Sequence, residues 1–156
     1  MPRLKKLWHL TMPTSLEQLE TEKKRGDLFT WQLSLESRQG ALSSIHSFLV
    51  YCNDLLQTNN DSTTSTTNTN TTSSTHHTVD LHKNLVNSIL TPIEGAILLL
   101  SQLPSIIKLS NNSVVLKAQA ATFRLKLYQT LIAMPSPSLF ESNFAIILRE
   151  LECCSA

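Results

Sequence analysis

Residues 58–78, TNNDSTTSTTNTNTTSSTHHT, hold 18 Ser, Thr or Asn among 21 positions and no apolar side chain. A stretch with nothing to bury cannot offset the conformational entropy lost on ordering it. Whatever folds must therefore fold from two blocks, 1–57 and 79–156, joined by a low-complexity, disordered loop. Such a loop is expected to be dispensable, because lengthening an open loop adds little closure entropy. Deleting it should change stability by less than about 1 kcal/mol.

The flanking blocks read as all-α. Three glycines and six prolines in 156 residues, with 41% apolar and 6% aromatic side chains, do not supply the closely spaced turns that sandwiches and barrels need. Thirteen basic against twelve acidic residues leave +1, spread as +1 over 1–57 and +1 over 79–156, so no basic stripe marks a nucleic-acid binder.

Helix signals follow in order. Ser15 with Gln18 forms a capping-box pattern opening LEQLETEKKR, with Leu16 and Leu19 on one side and an end at Gly26 and Asp27. Glu20, Glu22, Lys23, Lys24 and Arg25 read as its solvated face. Asp27 is then the N-cap of a second helix. Its stripe Leu28, Trp31, Leu35, Leu42, Ile45, Leu49, Cys52, Leu56 is broken only by Arg38. Gly40 makes this either one helix with a weak point worth ~1 kcal/mol or two helices meeting there.

In the second block Asp80 caps LHKNLVNSIL, with Leu81, Leu85 and Ile89 aligned, and Thr91-Pro92-Ile93-Glu94 starts a separate helix that ends near Pro104. Asn112 caps the helix 113–134, which carries two stripes: Val114, Ala118, Ala121, Leu125, Tyr128, Ile132, and Leu116, Ala120, Phe123, Leu127, Leu131. A helix apolar on two sides needs two neighbours, so both stripes are expected to be buried. The prolines of PSPS stop it. Ser138 with Glu141 opens the last helix, with Phe140, Phe144, Ile147, Leu148 and Leu151 inward, giving an antiparallel αα-hairpin. That stripe is unfinished at Cys153-Cys154, which points to a C-terminal truncation.

Chemistry finds little purchase. G-x-S-x-G, a Gly-rich phosphate loop, H-E-x-x-H and C-x-x-C are all missing, so no catalytic, cofactor-binding or metal residue is expected and the chain reads as no enzyme. His76, His77 and His82 lack a cysteine at ligand spacing. His46 reads as a partly exposed polar residue and Cys52 as a small core residue. The odd count Cys52, Cys153, Cys154 does not form a secreted disulfide framework. The triplets starting at Asn60, Asn70 and Asn111 match the glycosylation pattern by chance in an Asn/Thr-rich chain. The N-terminus has Arg3, Lys5 and Lys6 and no acid before Glu17, but neither a signal-peptide core nor the Ser/Arg-rich stretch of a transit peptide. The longest uninterrupted apolar run, Ala96 to Leu100, falls far short of the ~20 residues that cross a bilayer, and a soluble protein is expected.

Residues 125–152, LKLYQTLIAMPSPSLFESNFAIILRELE, resemble a segment of the very large HEAT-repeat-containing proteins of family five, which accompany a clathrin adaptor complex at the trans-Golgi network and endosomes. The similarity lies in Leu125 to Tyr128, the turn Pro135–Pro137, the pattern Phe140, Glu141, Phe144, and the ending Leu148 to Leu151. It extends over about 80–152 and, less closely, 1–57. The tract 58–78 has no counterpart, and family members continue with many more repeats where CCSA follows here. The resemblance implies an armadillo-like α-solenoid of helix pairs, each ~40 residues. It further implies a cytoplasmic scaffold that meets clathrin-adaptor subunits and reaches membranes only through partners. The alternative is a small independent helical bundle acting as an adaptor or regulator.

Overall fold

The computed structural model describes residues 2–61 and 73–155. Among them are six α-helices and no strand: α1 Pro2–Thr11, α2 Leu16–Arg25, α3 Leu28–Asp61, α4 Ser73–Leu109, α5 Val114–Ile132 and, after a 3-10 segment Pro137–Asn143, α6 Phe144–Ser155. The chain is all-α, as its composition requires. Helical backbone enters the polar tract from both ends, to Asp61 and from Ser73, and the expectation of a disordered loop otherwise falls on 62–72, outside the described residues.

The caps expected for the first block are present. Ser15 Oγ accepts from Gln18 N at 3.2 Å, although the Gln18 carboxamide reaches back to Thr14 N, not to Ser15 N. Asp27 Oδ1 accepts from Thr30 N at 2.8 Å, starting α3. This bond and that of the Thr30 side chain hold the Asp27 carboxyl below its ordinary value. α3 runs through Gly40 as one helix, and nothing lies within 4 Å of where a Gly40 Cβ would be.

Arg38, the break in the α3 stripe, is buried with it. Its guanidinium makes two bonds to Glu22, at 3.0 and 2.9 Å, and Nε donates to the Thr11 carbonyl at 3.1 Å. One cation thus ties the ends of α1 and α2 to α3. The solvated-face reading of α2 holds only in part. Glu22 is taken by Arg38, and Lys23, nearly buried, bonds Glu20 at 2.7 Å and Gln102 of α4 at 2.6 Å.

The second block departs from expectation at its prolines. α4 is one helix through Pro92 and Pro104, not two. Each interior proline costs roughly 3 kcal/mol. Yet Ile89, Ile93, Ile97, Leu100, Leu103 and Ile106 are all fully buried, at roughly 1.5–3 kcal/mol each, and tertiary packing outweighs the local stop signal. Pro92 has no N–H to offer the Ser88 carbonyl, and His9 Nε2 of α1 lies 3.2 Å from that oxygen. Val86–Leu109 is long and apolar enough to cross a membrane by length and composition, but here it forms the centre of the core. Beyond it, Asn111 (φ 51°) and Asn112 (φ 54°) take the left-handed turn that asparagine tolerates, and Asn112 N closes the helix on the Ile107 carbonyl. The cap of α5 is consequently Ser113, not Asn112.

Long-range bonds give the helices their directions. Gln39 Nε2 donates to Gln119 O and Asn53 Nδ2 to Ala133 O, each pair 80 residues apart, so α3 and α5 run parallel. His9 with Ser88 and Lys23 with Gln102 are each 79 apart, so the α1–α2 path runs parallel to α4. Trp8 bonds Ser44 while Thr11 O meets Arg38, which makes α1 antiparallel to α3. α3 and α5 form the most extensive helix pair, α1 packs on both α3 and α4, and α6 with the 3-10 segment packs on α4. Close approach between α4 and the α1–α2 connection depends on Gly95, where a Cβ would fall 2.1 Å from the Pro13 carbonyl.

Candidate docking groove

Of the two stripes on α5, one is buried against α3: Leu116, Ala120, Phe123, Leu127 and Leu131. The other is open at Val114 (80%), Leu125 (55%) and Ile132 (84%), while its Tyr128 is half-buried against the core, so the expectation that both stripes would be covered is corrected at those three positions. Thr130 joins the buried stripe by donating to the Lys126 carbonyl at 2.7 Å, in its own helix, and to the Leu42 carbonyl at 3.4 Å.

Pro135 and Pro137 end α5, and the chain then tightens into the 3-10 segment, with Ser136 and Ser138 hydroxyls 2.7 Å apart. The capping box expected at Ser138 does not form; the cap position is Ser136, without a side-chain bond. Phe140 leaves helical geometry (φ −127°, ψ 25°) and packs edge-on to Phe144, centroids 5.5 Å apart. This detour sends α6 onto α4 instead of into a close antiparallel hairpin with α5. The consequence is an open, apolar groove of about 630 Å³ between α5 and α6. Leu131, Met134 and Ile147 form its nearly buried floor, and Ile132, Leu148 and Leu151 stand on its exposed rim. Leu148 and Leu151 were expected to point inward; Phe140 and Ile147 do.

A second cavity, about 590 Å³, lies where α2 meets α3 and is lined by Gln18, Glu22, Arg25, Trp31 and Ser34 among others. Its acid Glu22 is already engaged by Arg38 and Gln18, so it is part of the packing between these helices.

The candidate reactive groups are not brought together. Cys52 is half-buried, and burial pushes its thiol up, which lowers the thiolate fraction a nucleophile requires. His46 is half-buried beside Ile45, and Cys153 is exposed. The side chains of His76, His77 and His82 lie outside the described residues. Among the described residues, no group of three or more His, Cys, Asp or Glu is placed to hold a metal ion.

The groove is an exposed apolar concavity, with Ile132, Leu148 and Leu151 open to solvent at its rim. Met134 and Pro137 were missed as part of it, because both lie in the connection and on no helical stripe. The chain matches no protein-family model and no solved structure.

Proposed function

We propose that this chain is a non-catalytic scaffold segment, an α-solenoid-like stack of helices that holds protein partners. The observation that carries the reading is the parallel stacking of α3 beside α5 and of α1–α2 beside α4, with an apolar groove left open between α5 and α6. Stacked helix pairs show this pattern because each unit buries its face on the next. The 79–80 residue spacing is about twice that of a HEAT unit. Helices of 34 and 37 residues, with the polar tract between them, account for the excess.

The resemblance to the family-five HEAT proteins supplies the setting: clathrin-adaptor subunits as partners, in the cytoplasm at the trans-Golgi network and endosomes. Proximity labelling in cells with the tagged chain tests it. Enrichment of adaptor subunits that is lost in Leu148→Asp supports both setting and groove. Labelling confined to mitochondrial matrix proteins overturns the trafficking reading.

A second reading, an independent helical bundle, is favoured by one observation: a single core cluster runs from Trp8 to Ile147. A compact monomer with one cooperative thermal transition supports it, whereas aggregation relieved by neighbouring repeats supports the solenoid.

A further inference from the structure

α1 is held in the fold by one face. Trp8 and Met12 are buried, Trp8 Nε1 donates to Ser44 Oγ at 3.3 Å, and the indole tilts against Phe48 of α3 with centroids 5.9 Å apart. Leu7 at 57% and Leu10 at 72% stand exposed on the opposite arc, with Leu4 at its margin. By helical register Arg3 and Lys6 share that arc, and both are exposed, so cations alternate with leucines along the outer face. No residue of α1 lines either cavity described above.

The elements packed on α1 add no acid to this corner. The bonds from Trp8 to Ser44 and from Arg38 to Thr11 lay α1 along the middle of α3, and the 79-residue offset between His9 and Ser88 sets Pro2–Thr11 level with 81–90 of α4. Neither Asp nor Glu occurs in 1–16, 37–53 or 81–93; Glu17, Glu36, Asp54, Asp80 and Glu94 stand just outside these stretches in the sequence. Cations do occur within them. Besides Arg3, Lys5 and Lys6, Lys83 of α4 is exposed and level with Leu4, whereas Arg38 is taken up by Glu22. Tyr51, 62% exposed, continues by register the α3 face of Ser44 and Phe48 that meets Trp8. In a chain whose formal charge is only +1, this acid-free corner is a local excess.

We infer that the α1 corner contacts an anionic lipid surface directly. Leu7 and Leu10 enter the boundary between headgroups and acyl chains, and Arg3, Lys6 and Lys83 lie among the acidic headgroups. Interfacial helices bind by this sum of apolar burial and attraction to anionic lipid. A lipid surface suits the corner better than an acidic protein helix does, because such a helix needs a groove to lie in and none is formed by α1. So few leucines give weak, reversible binding that depends on the charge of the surface. The contact is additional to any protein partner and does not involve the α5–α6 groove.

Flotation of the full chain with vesicles tests this, using phosphatidylcholine alone and phosphatidylcholine with an equal part of phosphatidylserine. The parent is expected to float with the second composition, not with the first, and to be released as salt is raised, because screening shortens the reach of the field. Leu10→Asp should abolish flotation. The double variant Arg3→Gln, Lys6→Gln should weaken partitioning roughly 30-fold, at about fivefold per cation. These changes fall on exposed side chains, and far-UV circular dichroism is expected to match the parent. The groove variant Leu148→Asp should float as the parent does, which separates the α1 ridge from open leucines in general. An unbound parent, equal flotation with both compositions, Leu10→Asp that floats like the parent, or Leu148→Asp that is lost like Leu10→Asp would each overturn the inference. Retention on immobilised polyglutamate without vesicle binding would also overturn it, and would assign the corner to an acidic protein segment.

Discussion

Two glycines on long helices have opposite roles. At Gly95 the added methyl of alanine meets the Pro13 carbonyl, a backbone atom that cannot rotate away. Gly95→Ala should therefore destabilise by about 1–3 kcal/mol despite the better helix propensity of alanine. At Gly40 the methyl enters open space, and Gly40→Ala should stabilise by about 0.4–1 kcal/mol. Urea unfolding of both variants checks the pair; equal signs would refute this account. Asp27 supplies a residue-scale pH dependence. Its carboxyl is held below the ordinary 3.8 by its bonds to Thr30, so the native state favours the charged form. Its contribution is fully present above that value and is lost as the pH falls through the lower folded value. The melting-temperature gap between the parent and Asp27→Ala should be constant near neutrality and close in acid.

The helices show how far local pattern reaches. On α5 the 3- and 4-residue steps mark two stripes, and packing against α3 covers one of them. Phe123→Ala should cost about 3–5 kcal/mol, because a fully buried ring leaves a cavity. Leu125→Ala, on the open stripe, should stay within about 0.5 kcal/mol of the parent. Equilibrium denaturation separates these outcomes, and a large loss at Leu125 would mean that its stripe is covered in solution. Ser15 and Asp27 were legible as caps because a cap is a contact within four residues. The helix start at Thr91-Pro92 and the end near Pro104 were misread for the complementary reason. Proline's cost is local, while the isoleucines and leucines that outweigh it are buried by helices far away in sequence.

For the molecule as a whole, the all-α class was legible and the arrangement was not. Bonds such as Gln39 to Gln119 join residues 80 apart and leave no mark on the sequence around either end. The groove was half visible. The second stripe on α5 and the stripe on α6 were legible as apolar faces but were expected to be buried, and they meet in one open concavity because the 3-10 segment turns α6 toward α4. Arg38 was seen as an interruption of a core face, and its role as a three-way tie required Glu22 and Thr11 to be placed beside it.

The offset of 79–80 residues between stacked partners also sets a clock. At synthesis rates of about 5–20 residues per second, a side chain such as Leu42 waits roughly 4–16 s before the partner segment that will cover it has even been made. During that interval the nascent N-terminal half presents Leu42, Ile45 and Leu49 to the cell as unprotected surface. A ribosome-associated chaperone that engages apolar helix faces would have its window there, and would be released when α5 arrives.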